Sequence, residues 1–311
     1  MHYTGPVYRP PPEADTPLLE ITYGCSWEKC SFCSMYHTQK FGISPIEDIK
    51  QDLEELTRYY PKELKKIFLV NGDAFALPAR KLIEIANLIH EYFPKIECIS
   101  CYASIRNIKP KSLKDLKKLR DLGFNRLYIG LESAYENTLE QMHKGYTVKD
   151  EYNQLKKLKE ANMDYVALLM LGIAGKGNCI ESAVETSKLL NKYKPVMIIP
   201  TSTSIEKDTP LYKMSLNGEF IQPIERELVE EELTLIENLE MYDDCYFFGG
   251  HVHNLIKIGY YFQFKDEMIK EIKKQIIELD EKMPELLDSK LTKGHLYVII
   301  CIIQDQFTDI H

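Results

Sequence analysis

The sequence predicts an α/β fold: a partial (β/α)6 TIM-like barrel of parallel strands with a C-terminal helical and strand extension. Three observations predict it. Short apolar runs alternate with amphipathic helical stretches along residues 18–215. The runs are continuous in Ile, Leu, Phe and Val rather than alternating, as strands of a parallel sheet covered by helices are. Polar or glycine-rich breaks follow five of them, at the carboxyl ends where α/β sheets carry their sites.

Taken in order, the strand-like runs are residues 18–23, 66–71, 96–101, 126–130, 165–171 and 195–200. Helical patterns lie at 46–59, 79–92, 112–122, 148–162 and 179–193. In the first, Ile46, Ile49, Leu53 and Leu56 share one helical face, and Ser44-Pro45 supplies a cap and a first helical position. Six such units fall short of the eight that close a full barrel. Past Pro223 the pattern changes to an acidic helix at 225–240, a strand at 245–248, a charged helix at 265–282 and an apolar tail at 296–303. Ahead of the barrel, Tyr8-Arg9-Pro10-Pro11-Pro12-Glu13 has the stiffness of a polyproline strap able to close over the mouth. The expected division is a strap at 1–17, the barrel at 18–215 and a capping extension at 216–311.

Composition removes whole classes. Of 311 residues, 44% are hydrophobic and 28% charged, which a globular chain shows and a disordered one does not. The 39 Lys+Arg against 47 Asp+Glu give a net charge of −8, against a broad face for a nucleic-acid polymer. The longest apolar run, 296–303, is far below the ~20 residues of a spanning helix, so no membrane is expected. The first residues lack a basic segment followed by an apolar one, and the expectation is a soluble cytoplasmic protein.

Cysteine spacing is the first specific signal. Cys25, Cys30 and Cys33 form C-x4-C-x2-C, and in a reducing compartment such clusters bind metal or catalyse more often than they form disulfides. Three thiolates on one short loop suit a [4Fe–4S] cube with one iron left open, whereas closed structural zinc asks for a fourth ligand. His37 is the candidate for that fourth position. Cys98 and Cys101 lie in a strand-like run and read as buried small hydrophobes.

The strand ends gather Asn71-Gly72-Asp73, Ser104-Ile105-Arg106-Asn107, Gly130-Leu131-Glu132-Ser133 and Gly172-Ile173-Ala174-Gly175 beside that loop. Arg106 is either a surface ion pair or a bidentate grip on a carboxylate or phosphate. Lys144 reads as a solvated loop charge. In Gly249-Gly250-His251-Val252-His253-Asn254, continuation of the strand would put His251 and His253 on one side, with Asn254 as a further polar substrate contact.

The stretch Leu19-Glu20-Ile21-Thr22-Tyr23-Gly24-Cys25-Ser26-Trp27-Glu28-Lys29-Cys30-Ser31-Phe32-Cys33 resembles the cluster loop of radical S-adenosylmethionine (SAM) enzymes, with one residue more than the common C-x3-C-x2-C spacing. The resemblance covers about residues 5–215 and, by pattern, extends to 280. It implies that Cys25, Cys30 and Cys33 hold a [4Fe–4S] cluster whose open iron is chelated by SAM. It implies further that Asp73, in place of a longer Glu, accepts from the SAM amine. Glu132 and Ser133 would meet the ribose or methionyl group, Gly172 and Gly175 the adenine, and Phe32 would lie near that base. The implied chemistry is reductive cleavage of SAM to a 5′-deoxyadenosyl radical that abstracts hydrogen from a small substrate. Electrons would come from an external donor such as flavodoxin or ferredoxin.

Within the family, size, strap and single three-cysteine loop look most like the lyases of queuosine salvage, which implies release of queuine from queuosine 5′-phosphate. A small anionic nucleotide needs only one or two basic residues, and Asp243 or Asp244 would accept from a guanine-like edge. An oxygen-independent coproporphyrinogen oxidase-like or methyl-transferring enzyme is the alternative. A non-catalytic iron–sulfur or zinc-binding protein is the alternative of another class.

Overall fold

A computed structural model describes residues 1–290. The strands are β1 (Leu18–Glu20), β2 (Thr22–Tyr23), β3 (Gly42–Ile43), β4 (Lys66–Val70), β5 (Cys98–Ala103), β6 (Phe124–Glu132), β7 (Asp164–Leu171), β8 (Met197–Ser202), β9 (Tyr246–Phe248) and β10 (Gly259–Tyr261). The fold is α/β with a mostly parallel sheet of eight strands, in the order β1-β4-β5-β6-β7-β8-β9-β10. The chain divides into two compact units: Met1–Leu131 with Lys144–Ala167, and Glu132–His143 with the chain from Leu168 on.

In the first unit, β1 pairs parallel with β4 (Leu18 opposite Phe68) and β4 with β5 (Lys66 opposite Cys98). Continuous apolar sequence buries both faces: Leu19, Ile67, Phe68, Leu69, Ile99 and Leu127 are all inaccessible to solvent. The helices Ile46–Leu56, Ala79–Tyr92, Leu113–Asp121 and Val148–Glu160 fall where periodicity puts them. Ser112 and Thr147 start the last two with side-chain caps reciprocated by Asp115 and Asp150.

The first predicted strand is not continuous. It breaks at Ile21, whose carbonyl takes the Ser44 N–H at 3.0 Å. Beyond the break, β2 leaves the parallel sheet and pairs antiparallel with β3. This turns the chain toward the cysteine loop.

The strap is tied down by buried carboxylates. Glu13 is fully buried and accepts from the Tyr128 hydroxyl (2.6 Å), the Thr16 hydroxyl (2.6 Å) and the Lys66 ammonium (2.7 Å). Its segment, Pro11–Glu13, is a 3-10 turn rather than an extended polyproline run. Upstream, Thr4 N–H donates to both carboxylate oxygens of Glu20, which also accepts from Asn71 Nδ2 at 2.6 Å.

In the second unit β8 runs parallel to β9, and β10 returns antiparallel. Helices Cys179–Lys192, Glu225–Asn238 and Lys265–Lys282 carry its apolar faces. Arg226 bridges Asp280 and Asp288, fastening Glu225–Asn238 to the segments after it. The apolar tail at 296–303 lies outside the described residues. Among the described residues, no helix is long and apolar enough to cross a membrane.

Candidate functional site

The cysteine loop begins at Gly24, whose φ of +69° and close approach to the Gln39 and Lys40 carbonyls (2.8 Å from a built Cβ) admit no side chain. Cys25, Cys30 and Cys33 are half-buried thiols outside any disulfide. The loop closes with Cys33 N–H on the Cys30 carbonyl at 3.2 Å, and Trp27 N–H points at Cys25 Sγ at 3.5 Å. Burial pushes the Cys25 thiol up and the neighbouring Asp73 adds to this, while the Glu28 and Trp27 N–H groups oppose it.

Asp73 follows β4 and is buried. Its Oδ2 accepts from Ser26 N–H at 3.0 Å and from the Ser26 hydroxyl, so carboxylate and loop are one hydrogen-bonded unit. Gly72 makes the approach possible, because a Cβ there would lie 2.2 Å from the Gly24 carbonyl. Burial raises the carboxyl, and the Ser26 hydrogen bonds, Arg106 and Asn107 pull it back.

Aromatic side chains of the cysteine loop carry cationic partners. The Arg106 guanidinium stacks on Trp27, 4.1 Å from the ring centroid, and Lys29 lies 4.9 Å from it. Gly145, at φ +72°, passes so close that a built Cβ would sit 2.3 Å from Trp27 Cζ2. Lys144 is not a solvated charge: it is 6% exposed, with its ammonium over Phe32 (5.5 Å) and Tyr146 (5.6 Å). Sequence spacing did not reveal this burial, which depends on rings 112 residues before it and two residues after it in the chain.

Three soft thiols on one loop, with cations stacked on that loop's aromatics, fit a [4Fe–4S] cube, which takes one thiolate per iron and carries net negative charge. Among the described residues, no three His, Cys, Asp or Glu side chains converge on a point where a single metal ion would sit. A cube does not ask for such convergence. His37 is exposed.

The second unit carries the other predicted residues. Glu132 takes φ +66°, a backbone state that is costly for a side-chain-bearing residue and tends to mark functional sites. Ser133 is buried, its Oγ 2.9 Å from Ser182 Oγ. Gly172 and Gly175 hold φ +79° and +80°, and a Cβ on Gly172 would strike Leu228 at 2.3 Å. Gly172 N–H donates to Glu231 Oε2 at 2.6 Å. Glu231 and Glu232 are both wholly inside, and burial pushes each up to about 8. Neither was singled out, although both fall on the apolar face that Leu228, Leu235 and Ile236 define, which is the signal that finds them.

The structure places the remaining predicted residues as follows. Asp243 and Asp244 are exposed and precede β9, at the amino end of a strand parallel to β8, opposite the carboxyl ends where sites lie. His251 and His253 do not alternate on a strand: β9 ends at Phe248, and a turn closed by Asn254 N–H on the His251 carbonyl (3.0 Å) packs their rings edge to face at 4.9 Å. Asn254, 1% exposed, clamps two backbone segments. Its Oδ1 accepts from Ser202 N–H (2.8 Å) and the Ser202 hydroxyl, and its Nδ2 donates to the Pro200 (3.0 Å) and Gly249 (2.9 Å) carbonyls.

A mostly parallel α/β sheet with a three-thiol loop after its first strand defines a class of iron–sulfur enzyme. The chain belongs to the radical SAM superfamily, whose sequence model matches residues 19–187. Enzymes of this family bind a [4Fe–4S] cluster and SAM. The chain is similar to the heme chaperone HemW of Bacillus subtilis, 22% identical over 66% of this chain and 55% of the relative. It is also similar to bacteriochlorophyllide d C-8(2)-methyltransferase of Chlorobaculum tepidum, 28% identical over 41% of this chain and 28% of that one. Among solved structures, methylornithine synthase (PylB) shares the fold at a TM-score of 0.52, with 16% identity over 73% of this chain and 63% of that one. The chain spans about half the length of the curated HemW relatives it matches.

Proposed function

We propose that this protein is a radical SAM lyase acting on a small anionic nucleotide, with queuosine 5′-phosphate as substrate and queuine as the released base. The observation that supports the class is the pair of hydrogen bonds from Ser26 to Asp73, which joins the three-cysteine loop to a carboxylate read as the acceptor for the SAM amine. In this reading Cys25, Cys30 and Cys33 ligate the cluster, and Asp73 orients the methionyl end of SAM. Glu132 and Ser133 serve its ribose or methionyl group, and the Gly172–Gly175 turn and Phe32 serve its adenine. When bound, cluster and SAM supply a carbon radical that accepts a hydrogen atom from the substrate.

The chain's own residues then bind, orient and exclude water. Trp27 and Phe32 supply apolar surface within the thiol loop, which helps to exclude water. Arg106, its face spent on Trp27, keeps the N–H edge of the guanidinium for a phosphate or carboxylate. In a chain of net charge −8, Arg106, Lys29 and Lys144 around Trp27 and Phe32 form a local cationic patch suited to such a ligand. His251 and His253 offer imidazole contacts for the base, and electrons enter from a flavodoxin- or ferredoxin-like donor.

Anaerobic reconstitution with SAM, reductant and queuosine 5′-phosphate tests both levels. The reading expects 5′-deoxyadenosine and queuine to rise together. Cleavage of SAM with queuine no higher than without enzyme removes the substrate and leaves the class. A tetrapyrrole is the second reading, favoured by two relatives whose names involve heme and bacteriochlorophyllide. A Soret shift on titration with hemin, saturating at one per chain, would support it over the nucleotide.

A further inference from the structure

We infer that Lys111 is a positioning residue for cofactor binding: its buried amine fastens the backbone after β4 to the backbone after β5 and so sets the places of Asp73 and Arg106. The inference rests on the reading of Asp73 as the acceptor for SAM.

Lysine is among the residues least often buried, because its charge loses water and its long stem loses rotamer freedom. Lys111 is nevertheless only 3% exposed. Its Nζ donates to the Phe75 carbonyl at 2.7 Å and to the Asn107 carbonyl at 3.0 Å, and lies 4.5 Å from the Phe75 ring centroid. These two acceptors come from the two segments that matter. Phe75 belongs to the 3-10 turn Ala74–Ala76, which starts one residue after Asp73. Asn107 belongs to the short helix Ile105–Ile108, which carries Arg106.

Asn107 belongs to the same neighbourhood. Its Oδ1 accepts from Ser104 N–H at 2.7 Å, capping that helix, and its side chain helps to lower the Asp73 carboxyl. A second lysine works on the other end of the same segment: Lys157 Nζ donates to the carbonyls of Ile108 (3.1 Å), Lys109 (3.2 Å) and Lys111 (2.8 Å). Amines gathered on carbonyls at the end of a helix are what its dipole favours. The groups facing Lys111 are Cys101 from β5, Asp73 from the β4 end, Asp115 from helix Leu113–Asp121 and Lys157 from helix Val148–Glu160. The amine thus joins the segment that follows Asp73 to the one that carries Arg106. A stitch needed only for packing asks for no charge, and an apolar side chain would fill the place without losing hydration.

The test compares Lys111→Met, which keeps the stem and loses every donor, with Lys111→Gln, which keeps a neutral donor. Three quantities are read on the full chain: amide hydrogen exchange of 73–77 and 104–108 without cofactors, SAM affinity after cluster reconstitution, and Tm. The inference predicts exchange in both segments faster by about tenfold and SAM bound about tenfold more weakly in Lys111→Met, with Lys111→Gln between it and wild type. A lysine that merely supports the fold would lower Tm and leave the SAM affinity of the folded protein unchanged, and that result overturns the inference. Unchanged exchange in both segments overturns it as well. Should Lys111→Met fail to fold, Lys111→Gln decides on the same readouts. Asp73→Asn is the separate control: wild-type SAM affinity in that variant removes the reading of Asp73, while the exchange result still speaks for or against the stitch.

Discussion

Ser26 and Asp73, 47 residues apart in the chain, meet twice: the Ser26 N–H at 3.0 Å and the Ser26 hydroxyl both donate to Asp73 Oδ2. One residue is the neighbour of the first cysteine and the other follows the second parallel strand. A carboxylate so anchored is oriented before any ligand arrives, which lowers the entropy cost of binding one.

Ser26→Ala removes the hydroxyl and keeps the backbone donor. SAM affinity is expected to fall about three- to tenfold, the equivalent of one hydrogen bond to a charged group, with iron content unchanged. Equilibrium dialysis on the reconstituted protein checks this. An affinity equal to wild type would show that the anchored carboxylate does not face SAM.

Gly145→Ala is expected to destabilise the protein by about 2–4 kcal/mol, because φ is +72° and the new methyl meets the Trp27 ring with no room to move. Trp27 fluorescence during urea unfolding measures it, since this is the chain's one tryptophan. A change under about 0.5 kcal/mol, the level of an ordinary surface substitution, would contradict the packing described.

Asn254→Ala is expected to cost about 2–4 kcal/mol, since Ser202 N–H and two buried carbonyls lose their partner. Denaturant midpoints give the value. A neutral substitution would contradict the clamp described.

Glu232 gives a pH signature. Its carboxyl titrates near 4.5 when unfolded and is pushed up to about 8 in the fold by burial first and Glu231 second. The folded state therefore holds the proton longer. The stability this confers is present below pH 4.5 and is lost as pH rises toward 8, at no more than about 1.4 kcal/mol per unit. Relative to Glu232→Gln, wild type should lose stability between pH 5 and 8. Parallel pH–stability curves for the two proteins would contradict the burial of a proton there.

Much of this was legible in the chain. Helices Ala79–Tyr92 and Lys265–Lys282 begin and end where periodicity puts them, because each has a sharp apolar stripe and a proline or aromatic boundary. The cysteine loop was legible because three ligands lie within nine residues. Asp73 was legible because a polar residue after a parallel strand has one rim to occupy. What escaped depends on long-range geometry. The break at Ile21 is decided by Ser44, and the burial of Lys144 depends on the distant Phe32 ring. That Asp243 and Asp244 stand at the amino end of β9 is revealed only by the parallel pairing with β8. Lys111 left no pattern, since a lone Lys between Pro110 and a capping Ser112 looks like surface.

The central claim is that three thiols of one loop hold a cube with one iron open to SAM. Electron paramagnetic resonance of the anaerobically reconstituted, reduced protein, with and without SAM, tests it most directly, alongside iron and sulfide analysis. The account predicts about four iron and four sulfide per chain and a spectrum that SAM alters, with both lost in Cys30→Ala. A colourless protein with one zinc per chain, or a cluster spectrum that SAM leaves untouched, would contradict it.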